Sequence, residues 1–404
     1  MSRLSLQYPF SDALSVILPT REETLLLRAC LLSADSAREA WREWRRYTSE
    51  IPNGYIGKNK AVKNLRPLVF DALRRHGLEL DKESQTFLRS AYLKEELRSK
   101  IFLRICRDVL QSLAKENIPN IVLKGTALAE TVYKNPVLRH SHDIEIWVGD
   151  RDLTKAASLL PALGFVGFED KISQVTLVHE SELPVVLHSR LFSIPYHGAS
   201  AAEMWSRRLN CRIAGVSSNV LAPTDSLLHV CGHAFYSGSR QSLRWASDAW
   251  LLIDRYRDLE WDLLFDCARQ SRLVLPLSVT LSYLAENLNA PVPPTFLTRL
   301  SAAAVTTNTV EREFAFSATR SAPRGSLRKL FRDAQGWRGR VSVLKWMVCP
   351  SPSYLRWAEA PRYPWLLPFH YVRRPVGYIS RRIGSFLIES LQRVGFKRRR
   401  VFNA

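Results

Sequence analysis

The stretch that decides the fold is residues 121–148, IVLKGTALAETVYKNPVLRHSHDIEIWV. Ile121, Val122 and Leu123 form a short apolar run of the kind that makes a buried strand. Gly125 follows directly and permits a tight turn in which backbone N–H groups can approach an anion. Thr126 is placed to cap a helix from about Ala127 to Tyr133, which Asn135-Pro136 closes. The chain then returns through Arg139 into a second strand, His142 to Val148. Its period of two sets Asp143 and Glu145 on one face and Ile144, Ile146 and Val148 on the other. Carboxylates one pleat apart, roughly 7 Å between α-carbons, can hold Mg²⁺ or Mn²⁺ between themselves and a phosphate. A lone Asp-x-Glu strand is more often a solvated sheet edge. Here Lys124-Gly125 and Arg139 stand in the same unit and turn the reading towards phosphate handling.

Working outward, residues 1–118 read as helices. Glu22 to Leu32 and Ser36 to Tyr47 are amphipathic, and Val62 to His76 stops at Gly77. A longer helix from about Ser84 to Lys115 puts Leu88, Tyr92, Ile101, Ile105, Val109 and Leu113 at helical spacing and breaks at Asn117-Ile118-Pro119. On the other side, Asp150 and Asp152 open a helix that stops at Gly164, and strands are expected at Ile172 to Val178 and Pro184 to Phe192. From residue 221 the pattern is helical again. Thr224 is expected to cap the first helix, with Asp225 in its first turn, and Leu243 to Tyr256 forms the next. His229 and His233 share a helix face but lack the Glu of a HExxH zinc motif, so core packing is the simpler reading. Arg244 and Asp248, also four apart, are expected to pair.

The net charge of +20 demands a partner or another reason. Roughly fifteen of those charges lie beyond residue 320, interleaved with Trp337, Trp346, Trp357, Trp365, Tyr363, Tyr371 and Tyr378. The chain ends in GSFLIESLQRVGFKRRR, an expected short amphipathic helix followed by a basic cluster. Such a tail suits an anionic membrane surface or a nucleic acid, or packs as a solvated arm. No nucleic-acid-binding motif accompanies it. The six cysteines show no regular spacing, which fits a reducing cytoplasm. The N-terminus MSRLSLQYPF lacks a secretory pattern, and no run reaches the ~18 apolar residues of a membrane span. The expected location is cytoplasmic, with peripheral membrane association open.

At LKGTALAETVYKNPVLRHSHDIEIWV the sequence resembles the bacterial "uncharacterised nucleotidyltransferase" family of the polymerase-beta-like superfamily. The family's LKG turn, Tyr-x-x-Pro stretch, Arg and D-I-D-L strand all have counterparts here, with Glu145 for the second Asp. LRPLVFDALRRHG and residues 221–294 extend the likeness. The resemblance implies an α+β fold, a small mixed β-sheet with extensive helical regions before and after it. Residues 1–118 would form an N-terminal helical region, 119–220 the sheet core, 221–320 a helical domain and 321–404 a basic tail.

It further implies metal-dependent transfer of a nucleotidyl group from an NTP to an unknown acceptor. Asp143 and Glu145 would bind Mg²⁺ (or Mn²⁺), Lys124, Gly125 and Thr126 would contact phosphates, and Arg139 would offset their charge. The family's His is His188, a candidate base or a hydrogen-bonded core residue. The third carboxylate expected two residues before it is Val186. Glu182 shares its strand parity and could substitute only if the chain bends. This departure leaves an alternative, a binding or scaffold protein that kept the fold without catalysis. A toxin-like enzyme modifying tRNA would also suit the charge.

Overall fold

The computed structural model describes residues 14–48, 56, 59–171, 173–192, 198, 200–236, 243–321, 327–334, 336–359, 364–371 and 373. The expected helix and basic cluster at the C-terminal end lie outside them. Seven strands form one mixed sheet: β1 (Ile121–Val122), β2 (Ile144–Trp147), β3 (Phe165–Lys171), β4 (Gln174–His179), β5 (Pro184–His188), β6 (Leu209–Ile213) and β7 (Val216–Val220). Their order is β3-β4-β5-β2-β1-β7-β6. The β2–β5 and β1–β7 pairs are parallel and the rest antiparallel. The fold is therefore α+β, with helices before and after a mixed sheet, and the sheet is larger than the sequence led one to expect.

The sheet divides two cores. Ile144, Ile146, Val148, Val185 and Leu187 face Ile105, Val109 and Leu113 of the Lys82–Lys115 helix, together with Ala156 and Leu160. Ile121, Leu123 and Trp147, on the opposite face, join a core shared by the helices on both sides of the sheet in sequence. Within it the Arg21–Leu31 helix packs on the Arg244–Arg255 and Val274–Leu288 helices, and Thr24 and Tyr283 hydroxyls hydrogen-bond at 2.9 Å. Of the positions chosen for the long helix, Ile101 is 48% exposed, and Phe102 is buried in its place. The helix starts on Asp81, whose carboxylate accepts the Ser84 N–H at 2.8 Å.

Several local expectations are corrected. Thr126 does not cap the helix after β1: that helix runs Lys124–Thr131 and is entered from Leu123, so Thr126 sits inside its first turn. Thr224 is likewise inside the Pro223–Tyr236 helix, where its hydroxyl accepts the Glu260 N–H at 3.2 Å. Asp225 pairs with Arg207 through both oxygens, at 2.8 and 3.1 Å. Strands β3, β6 and β7 were not anticipated. The burial of β6 is mostly exposed, so no apolar alternation marks it, and its hairpin turn uses Ala214-Gly215, both at positive φ, with Ala where Asn or Asp would have announced the turn.

Candidate functional site

β1 delivers the chain at Leu123, whose N–H donates to the Glu145 carbonyl of β2 at 2.9 Å. The next residue, Lys124, takes a left-handed backbone at φ 40°, a conformation costing about 1–3 kcal/mol in a non-glycine residue. This twist, and not one at Gly125, turns the chain from strand to helix. Gly125 is required for a different reason. The return segment crosses the helix's first turn so closely that a β-carbon there would collide with Ser141 Oγ and lie 3.5 Å from Arg139 Nη1.

The turn aims Lys124 at the acids. Its Nζ lies 2.6 Å from Glu145 Oε1, both side chains being largely buried. Burial alone would raise the Glu145 carboxyl, but the Lys124 ammonium, with His188, outweighs it and holds the group well below the usual range. Asp143 stands just before β2, not inside it. Its carboxyl is pushed up, first by burial and then by the neighbouring Glu145 charge, with Lys124, Arg244 and Arg139 acting against the rise. Of the two adjacent carboxylates, only Glu145 contacts the lysine directly, and Asp143 feels Lys124, Arg244 and Arg139 through their charge.

The parallel pairing of β2 with β5 fixes what else faces this cluster. Glu145 is opposite Val186 and Trp147 is opposite His188, so these side chains share a face. Val186 is buried and brings a methyl surface to the place of the third carboxylate. Glu182 does not replace it. It lies exposed in the β4–β5 hairpin at φ 65°, about 13 Å of strand away. His188 Nε2 is 3.5 Å from Glu145 Oε1, too far for a hydrogen bond, and is buried with no other partner. Among the described residues no group of three or more His, Cys, Asp and Glu could hold a metal ion. Asp143 and Glu145 therefore stand as two carboxylates without a third ligand, and the described residues do not supply the ligands of a two-cation centre.

The Pro223–Tyr236 helix covers the cluster with His229 and His233. Burial, followed by Lys124, pushes His233 down to about 3 and His229 well below its ordinary value, so both imidazoles are neutral. Phe192 meets the His229 ring edge-on at 5.3 Å. Reading the pair as core packing captured the burial and missed the electrostatic reach to Lys124, Glu145 and His188. Sequence spacing carries no signal of that reach.

Arg139 has a different neighbourhood. It is buried, and its Nε and Nη2 donate to the two oxygens of Asp248 at 2.7 and 2.8 Å. Tyr133 Oη donates to the same carboxylate at 2.7 Å. Burial opposes the Arg139 charge, but Asp248 more than restores it and raises its pKa. It is thus Arg139, from the sheet side, that holds Asp248 and docks the Arg244–Arg255 helix. The pairing expected within that helix is not its brace. Arg244 Nη1 donates to the His140 carbonyl at 2.9 Å, and burial and Arg139 lower its pKa to about 10. His140 Nδ1 meets Glu95 Oε2 at 2.6 Å, and its other nitrogen meets His142 at 3.1 Å. Thr126 Oγ1 and Ser141 Oγ are buried without a hydrogen-bond partner on a small cleft that Glu95, Arg98 and Arg139 also line.

A strand, a turn with a lysine, a short helix and two acids, one just before the returning strand and one on it, make up a unit of the nucleotidyltransferase type. The model of the uncharacterised nucleotidyltransferase family matches residues 60–289, more than half of the chain, and the chain belongs to that family. A search of curated proteins finds no match.

Proposed function

We propose that the Lys124, Asp143 and Glu145 cluster transfers a nucleotidyl group from an NTP to a hydroxyl or phosphate acceptor. The observation that carries this reading is the Lys124–Glu145 contact, made from the N-terminus of a helix, beside a second carboxylate that burial and Glu145 push up. Asp143 and Glu145 would hold one Mg²⁺ (or Mn²⁺). Bound there, it would neutralise charge on the triphosphate and on the leaving pyrophosphate.

The chain's own residues have distinct tasks. The first backbone N–H groups of the Lys124–Thr131 helix have no intrahelical acceptor and would receive phosphate oxygens. Lys124 would offset their charge. Arg139 is already committed to Asp248, so the charge-offsetting role expected of it passes in part to Arg244, which acts electrostatically on Asp143. In the transfer, the acceptor oxygen bonds to the α-phosphorus as the bond between that phosphorus and the oxygen bridging to the β-phosphorus breaks, and pyrophosphate leaves. His188 Nε2, with no competing hydrogen bond, would take the acceptor's proton. His229 and His233, kept neutral, close the site without adding charge.

The test is calorimetric titration of a non-hydrolysable NTP analogue with and without Mg²⁺. The reading expects Mg²⁺-dependent binding that weakens at least tenfold in Lys124→Met. Binding indifferent to both Mg²⁺ and Lys124 would contradict it.

A further inference from the structure

The Gly336–Val348 helix carries two apolar faces, and only one is used inside the protein. Gly339, Val343 and Trp346 face inward, where Trp346 stacks edge-on with Phe316 at 5.8 Å and Tyr354 at 6.0 Å. Trp337, Val341, Leu344 and Val348 are 71, 50, 46 and 51% exposed. Their spacing of four, three and four residues places them in one stripe, within an arc of about 60° at 3.6 residues per turn. Arg338 and Lys345 flank the stripe on one side and Arg340 on the other, all exposed, and the helix holds no acidic residue. The Arg338 guanidinium lies over the Trp337 ring at 5.5 Å. At the helix's C-terminal end, Tyr371 Oη donates to the Pro350 carbonyl at 2.9 Å and holds in place the segment that carries exposed Trp365 (73%) and Phe369 (60%).

We infer that this face docks on an anionic lipid bilayer, with the helix lying in the interface. The partner must be apolar at its centre and negative at its edges, because the stripe is apolar and both flanks are basic. A bilayer rich in acidic headgroups has that profile: Val341, Leu344 and Val348 would enter the acyl boundary, Trp337 would sit at headgroup depth, and the arginines and lysine would reach the phosphates. A nucleic acid matches the cations and the tryptophan but offers nothing to three aliphatic side chains in the middle of the stripe. At roughly 20 Å the helix is too short to cross the ~30 Å hydrocarbon core, and no helix among the described residues is long and apolar enough to do so. The composition of the sequence strengthens the fit, since residues 321–404, in which the helix falls, hold about fifteen of the chain's excess positive charges. This docking is independent of the nucleotidyl site and stands whether or not that site is active.

The experiment is sedimentation of the full chain with phosphatidylcholine vesicles, with and without phosphatidylglycerol at about a third of the lipid. Val341→Ser/Leu344→Ser removes the stripe, and Arg338→Ser/Arg340→Ser/Lys345→Ser removes its flanks. All five positions are exposed, and unchanged thermal melting checks that the variants fold. The expected result is pelleting on anionic vesicles alone, at least tenfold weaker in the stripe variant and strongly reduced in the flank variant. Failure of the wild type to pellet on anionic vesicles would overturn the inference. So would equal pelleting of wild type and stripe variant, which would assign binding to charge elsewhere in the chain. Two further results would assign the stripe to another partner: a self-association by light scattering that the stripe variant abolishes, or a single-stranded RNA affinity with the same sensitivity.

Discussion

Two buried cation–carboxylate pairs take their cations from the same stretch, residues 121–148, and they are finished to different degrees. Arg139 and Asp248 meet through two parallel hydrogen bonds, and Tyr133 takes a further share of the carboxylate. Lys124 and Glu145 meet through one contact, with Asp143 crowding the same charge and His188 Nε2 at 3.5 Å from Glu145, short of a hydrogen bond. The first pair is a brace, since every group the fold buries there is answered within the fold. The second leaves negative charge and an imidazole nitrogen available, as expected where a ligand completes the arrangement. A third buried carboxylate extends the comparison. Glu311 is 2% exposed and is held mainly by backbone N–H groups at the start of the Val274–Leu288 helix, with Leu275 N at 2.7 Å.

The brace is where the comparison is easiest to break. Asp248→Ala leaves the Arg139 guanidinium buried beside no carboxylate and should cost about 3–5 kcal/mol in urea unfolding. Asp143→Asn removes one of two repelling carboxylates, so its unfolding midpoint should stay level or rise while nucleotide-dependent function is lost. An equal stability loss in both variants would erase the distinction between brace and site.

Glu311 tests how far backbone donors, helped by the charges of Arg272 and Arg312, can hold a buried charge. Burial pushes its carboxyl up to about 7, with the Leu275 and Val274 N–H groups acting in the other direction. A folded-state value above the unfolded one means that stability is fully present below about pH 4.5 and is lost as pH rises through 7. Wild type should therefore lose up to about 3 kcal/mol relative to Glu311→Gln between pH 4.5 and 8. A constant difference across that range would show that the carboxyl does not titrate there.

The smallest effect concerns the turn that separates the two pairs. Gly125→Ala should destabilise by about 1–3 kcal/mol by overpacking Ser141. Ser141→Gly should recover most of that loss, and failure of the double variant to recover it would move the glycine's role away from the close crossing.

How much of this was legible in the residues depends on whether the cause was local. The β1–turn–helix–β2 unit and the methyl surface at Val186 follow from parity and spacing along single segments, whereas Asp143 was expected inside the strand and stands just before it. The partner of Arg139 does not, because Asp248 lies 109 residues away and the local i, i+4 spacing pointed to Arg244. Thr126 and Thr224 look like caps, but each sits inside its helix, the first of which is entered from Leu123 with no side-chain cap. His229 and His233 read as core histidines; His229 is buried and His233 partly so. Their place over Lys124 depends on how the Pro223–Tyr236 helix crosses the sheet, which no window of sequence encodes. The polar hairpin β6–β7 carried too little alternation to be seen.

The measurement that bears most directly on the central claim is label transfer from α-labelled and γ-labelled NTPs, with Mg²⁺ or Mn²⁺, into extract fractionated into protein, RNA, lipid and small molecules. The account predicts incorporation of the α-label alone, abolished in Asp143→Ala/Glu145→Ala and unaffected by Val341→Ser/Leu344→Ser when the acceptor is soluble. Incorporation of the γ-label, or α-label transfer that survives loss of both carboxylates, would contradict it.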